Sequence, residues 1–158
     1  IIFTKYFGYE QKDVKGKAIA GADEHLLKAL LRDSTGVSYL PLALIYDHTS
    51  TKPVDGITVL PVDLNGNGKV SDDEKFYADL PTVLQQLEEK PAKDVNNIPI
   101  EYINFSIEKN SGNVEAIEFL KWVIQNGQKD LHDFGYLKPE HSRFEAEKFE
   151  WFDSKSPK

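Results

Sequence analysis

The sequence predicts an α/β domain, or a mixed-sheet α+β one, on three observations. Strand-like and helix-like runs alternate along the chain. Ile103, Phe105 and Ile107 alternate with Asn104, Ser106 and Glu108, the period of a half-buried strand. Leu26, Leu27, Leu30 and Leu31, and later Val114, Ile117, Leu120 and Ile124, recur at helical spacing. At 158 residues, 40% hydrophobic and 11% aromatic, the chain is long enough to bury one core.

Taken in order, Phe3–Tyr9 reads as the tail of a helix ended by Gly8, and Lys17–Ala20 as a short strand. Gly21 turns the chain, and Asp23 is positioned to cap a helix through Arg32. Ser34-Thr35-Gly36 is a turn. Val37–Leu40 is β-like, but Pro41 prevents a longer strand. A short helix over Leu42–Tyr46 and a polar loop over Thr49–Gly56 follow. Ile57–Val62 is rich in β-branched residues and predicts a strand, leading through a loop at Asp63–Glu74 into a helix. Leu80–Glu89 is helical, with Pro81 tolerated in the first turn and Val83, Leu84 and Leu87 on one side. Lys90–Asn97 is a connector, and Ile100–Glu108 is the strongest strand pattern in the chain. Ser111–Gln125 forms an amphipathic helix with Val114, Ile117, Leu120 and Ile124 inward. Gly127 interrupts it, and a further turn over Gln128–Phe134 is closed by Gly135. The charged tail, with Phe144, Phe149, Trp151 and Phe152 interspersed, fits a docking helix or an extension; the division is therefore 1–138 and 139–158.

Cysteine is absent, which excludes disulfides, thiolate zinc sites and a cysteine nucleophile. Methionine is also absent and the chain opens with Ile1-Ile2, so the expectation is a processed or excised piece of something longer. No apolar run approaches a membrane span and no signal peptide is present. The formal charge of −7 makes sequence-independent nucleic-acid binding a poor fit, because that needs a basic surface to displace counterions. The acidity is local. Asp63–Glu89 carries seven acids and two bases, against 19 and 17 elsewhere. That pattern means a cation site or a solvated face.

Asp63-Leu64-Asn65-Gly66-Asn67-Gly68-Lys69-Val70-Ser71-Asp72-Asp73-Glu74 fits the twelve-residue calcium-loop pattern. Asp63, Asn65 and Asn67, at loop positions 1, 3 and 5, offer side-chain oxygens to one centre. Gly68 at position 6 allows the sharp turn, and Lys69 offers its carbonyl. Val70 is expected to anchor the loop to the core. Ser71 acts directly or through water, and Glu74 at position 12 can supply two oxygens. An all-oxygen set suits calcium better than magnesium. The preceding strand means that the unit is EF-hand-like only in its loop, and the amides at positions 3 and 5 lower the charge and the affinity. The competing reading is a strand-to-helix turn in which Ser71 caps the helix and the acids favour its N-terminus.

Other chemistry is weakly signalled. His25, His48, His132 and His141 are scattered and form no pair at ligand spacing. No G-x-S-x-G elbow or Walker loop occurs. Many carboxylates exist, but the sequence cannot place two of them across a substrate, so a glycosidase pair is unsupported and a hydrolase carries low weight. Arg32-Asp33-Ser34-Thr35-Gly36 reads as a helix end and turn in preference to an anion loop.

Several segments together resemble the second lobe of the phosphate-binding protein family that serves ABC importers. They are Ala20-Gly21-Ala22-Asp23-Glu24-His25-Leu26-Leu27, Arg32 to Tyr39, Ile45-Tyr46-Asp47, Leu60 to Lys69 and Glu74-Lys75-Phe76-Tyr77, with Ala116–Trp122, Gly127-Gln128 and Gly135-Tyr136 closing the likeness. It spans about residues 1–138, and its most specific piece is the Asp63–Glu74 loop, typical of one subgroup. The resemblance implies a type II periplasmic-binding fold, a mixed sheet flanked by helices, in an extracytoplasmic protein. Such a parent captures phosphate or a related oxyanion for an ABC importer permease and is not an enzyme. The family's Arg…Ser-Gly-Thr anion loop lies upstream of the segment matching Phe3–Gly8, so no residue here is assigned to phosphate. The alternative is a calcium-stabilised structural or protein-interaction domain.

Overall fold

A computed structural model describes Thr4, residues 8–90, Ile98, Ile100, residues 102–108 and residues 113–139. The chain divides into two compact units, Ile1–Tyr102 and Ile103–Lys158. The expected α/β sheet lobe is not the fold. Among the described residues the only β-pairing is one antiparallel bridge between Tyr46 and Pro53. The regular structure is helical: α1 (Asp23–Leu30), α2 (Leu42–Ile45), α3 (Leu80–Glu89) and α4 (Val114–Gln125), with 3-10 turns at Gln11–Asp13, Asp72–Glu74 and Leu131–Phe134. No described helix is long and apolar enough to cross a membrane.

The strand expectations fail for one shared reason. Alternation fits a residue run to a pleated, half-buried surface, but a strand exists only when a partner takes its backbone hydrogen bonds. Among the described residues no ladder forms at Lys17–Ala20, Val37–Leu40, Ile57–Val62 or the described part of Ile100–Glu108. Val37 is 80% exposed and Ile103 65%. Ile57–Val62 keeps its period without a ladder: Ile57, Val59 and Pro61 are half-buried, and Thr58, Leu60 and Val62 are exposed. The half-buried side chains, with Pro53, Lys75 and Tyr77, line an open cleft of about 290 Å3.

The core of the first unit collects on α3. Leu80, Val83, Leu84 and Leu87 are buried on one helical face, joined by Tyr46, Leu64 and Phe76. Asp79 starts the helix by accepting from the Thr82 N–H at 3.0 Å. Pro81 lies in the first turn, where its missing N–H is not needed. The Leu80 N–H, unpaired within the helix, donates to the Thr51 carbonyl at 2.8 Å. That carbonyl belongs to a tight loop. Asp47 Oδ1 accepts from the N–H groups of Thr49 and Ser50 at 3.2 and 2.7 Å, and Thr51 adopts φ +60°, a left-handed conformation that β-branched residues rarely take. Tyr46 is buried, and its hydroxyl donates to the Tyr77 carbonyl at 2.9 Å. Burial pushes its phenol up to about 12, with Tyr77 and Asp79 adding to the shift. The Phe76 ring stacks on Tyr77 at 4.5 Å, and Lys90 Nζ lies 5.3 Å from the Phe76 centroid.

Helix α1 begins one residue earlier than the expected cap implies. Ala22 holds the N-cap position and Asp23 is the first helical residue, where its charge still favours the dipole. Helices α1 and α2 pack together. Gly8 sits at φ +71°, and the Tyr9 N–H donates to the Thr4 carbonyl at 2.8 Å, as in a glycine-terminated helix end. The rest of the Phe3–Tyr9 helix end, most of the Lys90–Asn97 connector and residues 140–158 of the expected tail lie outside the described residues.

In the second unit, Asn113 caps α4 by accepting from the Ala116 N–H at 2.9 Å. Ile117, Leu120 and Ile124 are half-buried, but Val114, expected inward, is 64% exposed because it sits in the open first turn. Gly127 ends the helix where an added Cβ would come within 2.9 Å of the Val123 carbonyl oxygen. Gly135, at φ +78°, closes the last 3-10 turn as expected.

Replacing Leu84 by Ala removes a fully buried side chain from α3 and is expected to lower the unfolding free energy by about 2–5 kcal/mol, measured by urea denaturation. A loss below about 0.5 kcal/mol would mean that α3 does not organise the unit.

Candidate cation site

Residues 63–74 form a loop held by its own side chains. Asp63 stands at the head. Its Oδ1 accepts from the N–H groups of Gly66 and Asn67 at 2.8 and 3.2 Å, and its Oδ2 from the Gly68 N–H at 2.7 Å. Two overlapping turns follow: Asn65 Oδ1 accepts from the Asn67 N–H at 3.1 Å, and Asn67 Oδ1 from the Lys69 N–H at 2.9 Å. Gly66 and Gly68 lie at φ +72° and +84°. A Cβ at either would meet nothing within 4 Å, so it is the backbone conformation, and not lack of room, that favours glycine.

Glu74 closes the loop from the other end. Its Oε1 accepts from the N–H groups of Leu64 and Asn65 at 2.8 and 3.2 Å. Its Oε2 accepts from the Ser71 N–H at 2.9 Å and the Ser71 hydroxyl at 2.8 Å. Ser71 and Glu74 thereby make a capping box over the Asp72–Glu74 turn. Glu74 is 1% exposed and is the only buried charged residue among those described. The bonds from Ser71, then those from Leu64 and Asn65, hold its carboxyl at about 2, against an ordinary 4.5.

The six sequence-selected residues Asp63, Asn65, Asn67, Lys69, Ser71 and Glu74 are thus gathered in one loop, but two supporting expectations change. The loop leads into a single 3-10 turn, and α3 starts only at Leu80. Val70 is 37% exposed and does not anchor the loop; Leu64, next to Asp63, is 1% exposed and does. Leu64 is carried inward because its own N–H is tied to the buried Glu74 carboxylate.

The donor chemistry fits a hard cation. A carboxylate or amide oxygen has two lone pairs. Asp63 Oδ2, Asn65 Oδ1 and Asn67 Oδ1 each accept one hydrogen bond and keep one lone pair. The charge is low: among the described residues no group of three or more Asp, Glu, His or Cys side chains converges. Asp33 is turned on its own segment, its Oδ1 accepting from the Thr35 N–H and hydroxyl at 3.1 and 3.0 Å. No family model, curated protein or solved structure matches the chain.

Two measurements check this geometry. Leu64→Ala is expected to destabilise the fold by about 2–5 kcal/mol, and Val70→Ala by less than about 0.5 kcal/mol; the reverse order in urea melts would restore Val70 as the anchor. For pH, the Glu74 carboxyl is lower in the folded state, so its contribution is complete above about 4.5 and is lost as pH falls towards about 2. Stability of the native chain should therefore fall across that window more steeply than that of Glu74→Gln. Parallel acid profiles would refute the assignment.

Proposed function

We propose that residues 63–74 bind calcium and that the ion stiffens a small structural or protein-interaction domain. The single observation behind this reading is the row of side-chain oxygens from Asp63, Asn65 and Asn67. Each is fixed by a backbone N–H and each retains a lone pair. The Lys69 carbonyl and the Ser71 hydroxyl extend the set, and water completes the six to eight oxygens that calcium takes. One formal charge among the three leading ligands corresponds to weak binding, in the range of extracellular calcium modules, about 0.1–1 mM. That range accords with an extracytoplasmic location.

Phosphate capture for an importer has only the likeness of sequence segments in its favour, since the sheet lobe that it presumes is not the fold described above. The calcium-stabilised domain is the reading that the loop geometry supports, and no catalytic step enters it.

Calcium at about ten times its Kd should add about 1.4 kcal/mol of stability and raise Tm by about 3 °C. Asp63→Ala should abolish the rise. Absence of any rise in the native chain at about 10 mM calcium, far above the extracellular range, would overturn the proposal.

A further inference from the structure

We infer that Glu74 is a latch which closes the loop without a cation, and that it stays outside the ion's coordination shell. The inference rests on the calcium reading of the same loop but reassigns its twelfth residue. A carboxylate offers about four lone-pair directions. Glu74 has four donors on it: the N–H groups of Leu64, Asn65 and Ser71 and the Ser71 hydroxyl. These donors come from both ends of the loop, so the one buried carboxylate ties residues 64–65 to residue 71 across the turn.

A bidentate bond from Glu74 to an ion would have to displace these donors. The Leu64 N–H, whose residue is 1% exposed, would give up a charged acceptor at 2.8 Å, which is costly for a buried donor. Asp63, Asn65 and Asn67 carry no such conflict, because each has an oxygen with a lone pair to spare. The loop is therefore preformed. Calcium binds to a standing scaffold through Asp63, Asn65, Asn67, the Lys69 carbonyl and the Ser71 hydroxyl, and Glu74 holds the scaffold in place. Glu74 is a positioning residue for this site.

The test pairs amide hydrogen exchange in chelator with calcium calorimetry on the full chain. In chelator, the native amides of Leu64, Asn65 and Ser71 should already be protected, and added calcium should raise that protection by no more than about tenfold, the factor its binding adds to the stability of the whole fold. Glu74→Gln offers one acceptor oxygen in place of two. It should expose the Ser71 amide and lower Tm in chelator, yet leave the calcium Kd within about threefold of native. Asp63→Asn should weaken calcium about tenfold or more. Amides unprotected in chelator and protected only with calcium would overturn the latch. So would Glu74→Gln losing calcium affinity more than tenfold with unchanged stability in chelator. A native chain that is protected in chelator but binds no calcium would leave the latch standing and sink the calcium reading instead.

Discussion

The first unit depends on one buried face. Leu80, Val83, Leu84 and Leu87 leave water together on α3, and the other fixed points converge on the same short helix. The Thr51 carbonyl takes the Leu80 N–H, which holds the Asp47–Thr51 loop against the start of the helix. Asp79 caps that start and also lies 3.6 Å from Lys52 Nζ in a partly exposed ion pair. Such a pair contributes little by itself. The larger effect is geometric: a helix whose first turn is satisfied from outside presents its apolar stripe in one fixed orientation. With so few buried apolar residues, each carries a large share of the unit's stability.

The loop depends on that core through Leu64. Its side chain is sealed off and its N–H is held by Glu74, so the packing of one residue and the charge of another fix the same stretch of backbone. Polar loops of this length usually lose their internal order to water. Here the two carboxylates accept seven hydrogen bonds from the loop itself. Its shape is set by acceptors matched to nearby donors more than by apolar burial.

What the sequence reveals follows the range of the physics. Leu80–Glu89 is legible to the residue, because the first-turn proline and the i, i+3, i+4 spacing sit within ten residues and agree. The twelve-residue loop is legible for the same reason: its turns are made between residues two to five apart, except where Glu74 reaches back to Leu64 and Asn65. The strands are not legible. Ile57–Val62 and Ile103–Ile107 have strand composition, but pairing is a property of two segments and no local pattern supplies the second. The choice between Val70 and Leu64 as anchor fails likewise, since both are apolar neighbours of the turn and only the long reach of Glu74 to the Leu64 N–H separates them.

The extended run from Ile57 to Val62 has one further consequence. Among the described residues its backbone has no ladder partner, and Leu60 is 62% exposed and Val62 40%. A six-residue segment rich in β-branched side chains, without a formal charge, is the composition that nucleates cross-β stacking when chains are crowded. Pro61 interrupts it. Proline has no N–H to offer an incoming strand and resists incorporation into a continuous ladder. The same residue that half-lines the cleft therefore also acts as a gatekeeper, keeping an open stretch of chain from templating its own copies.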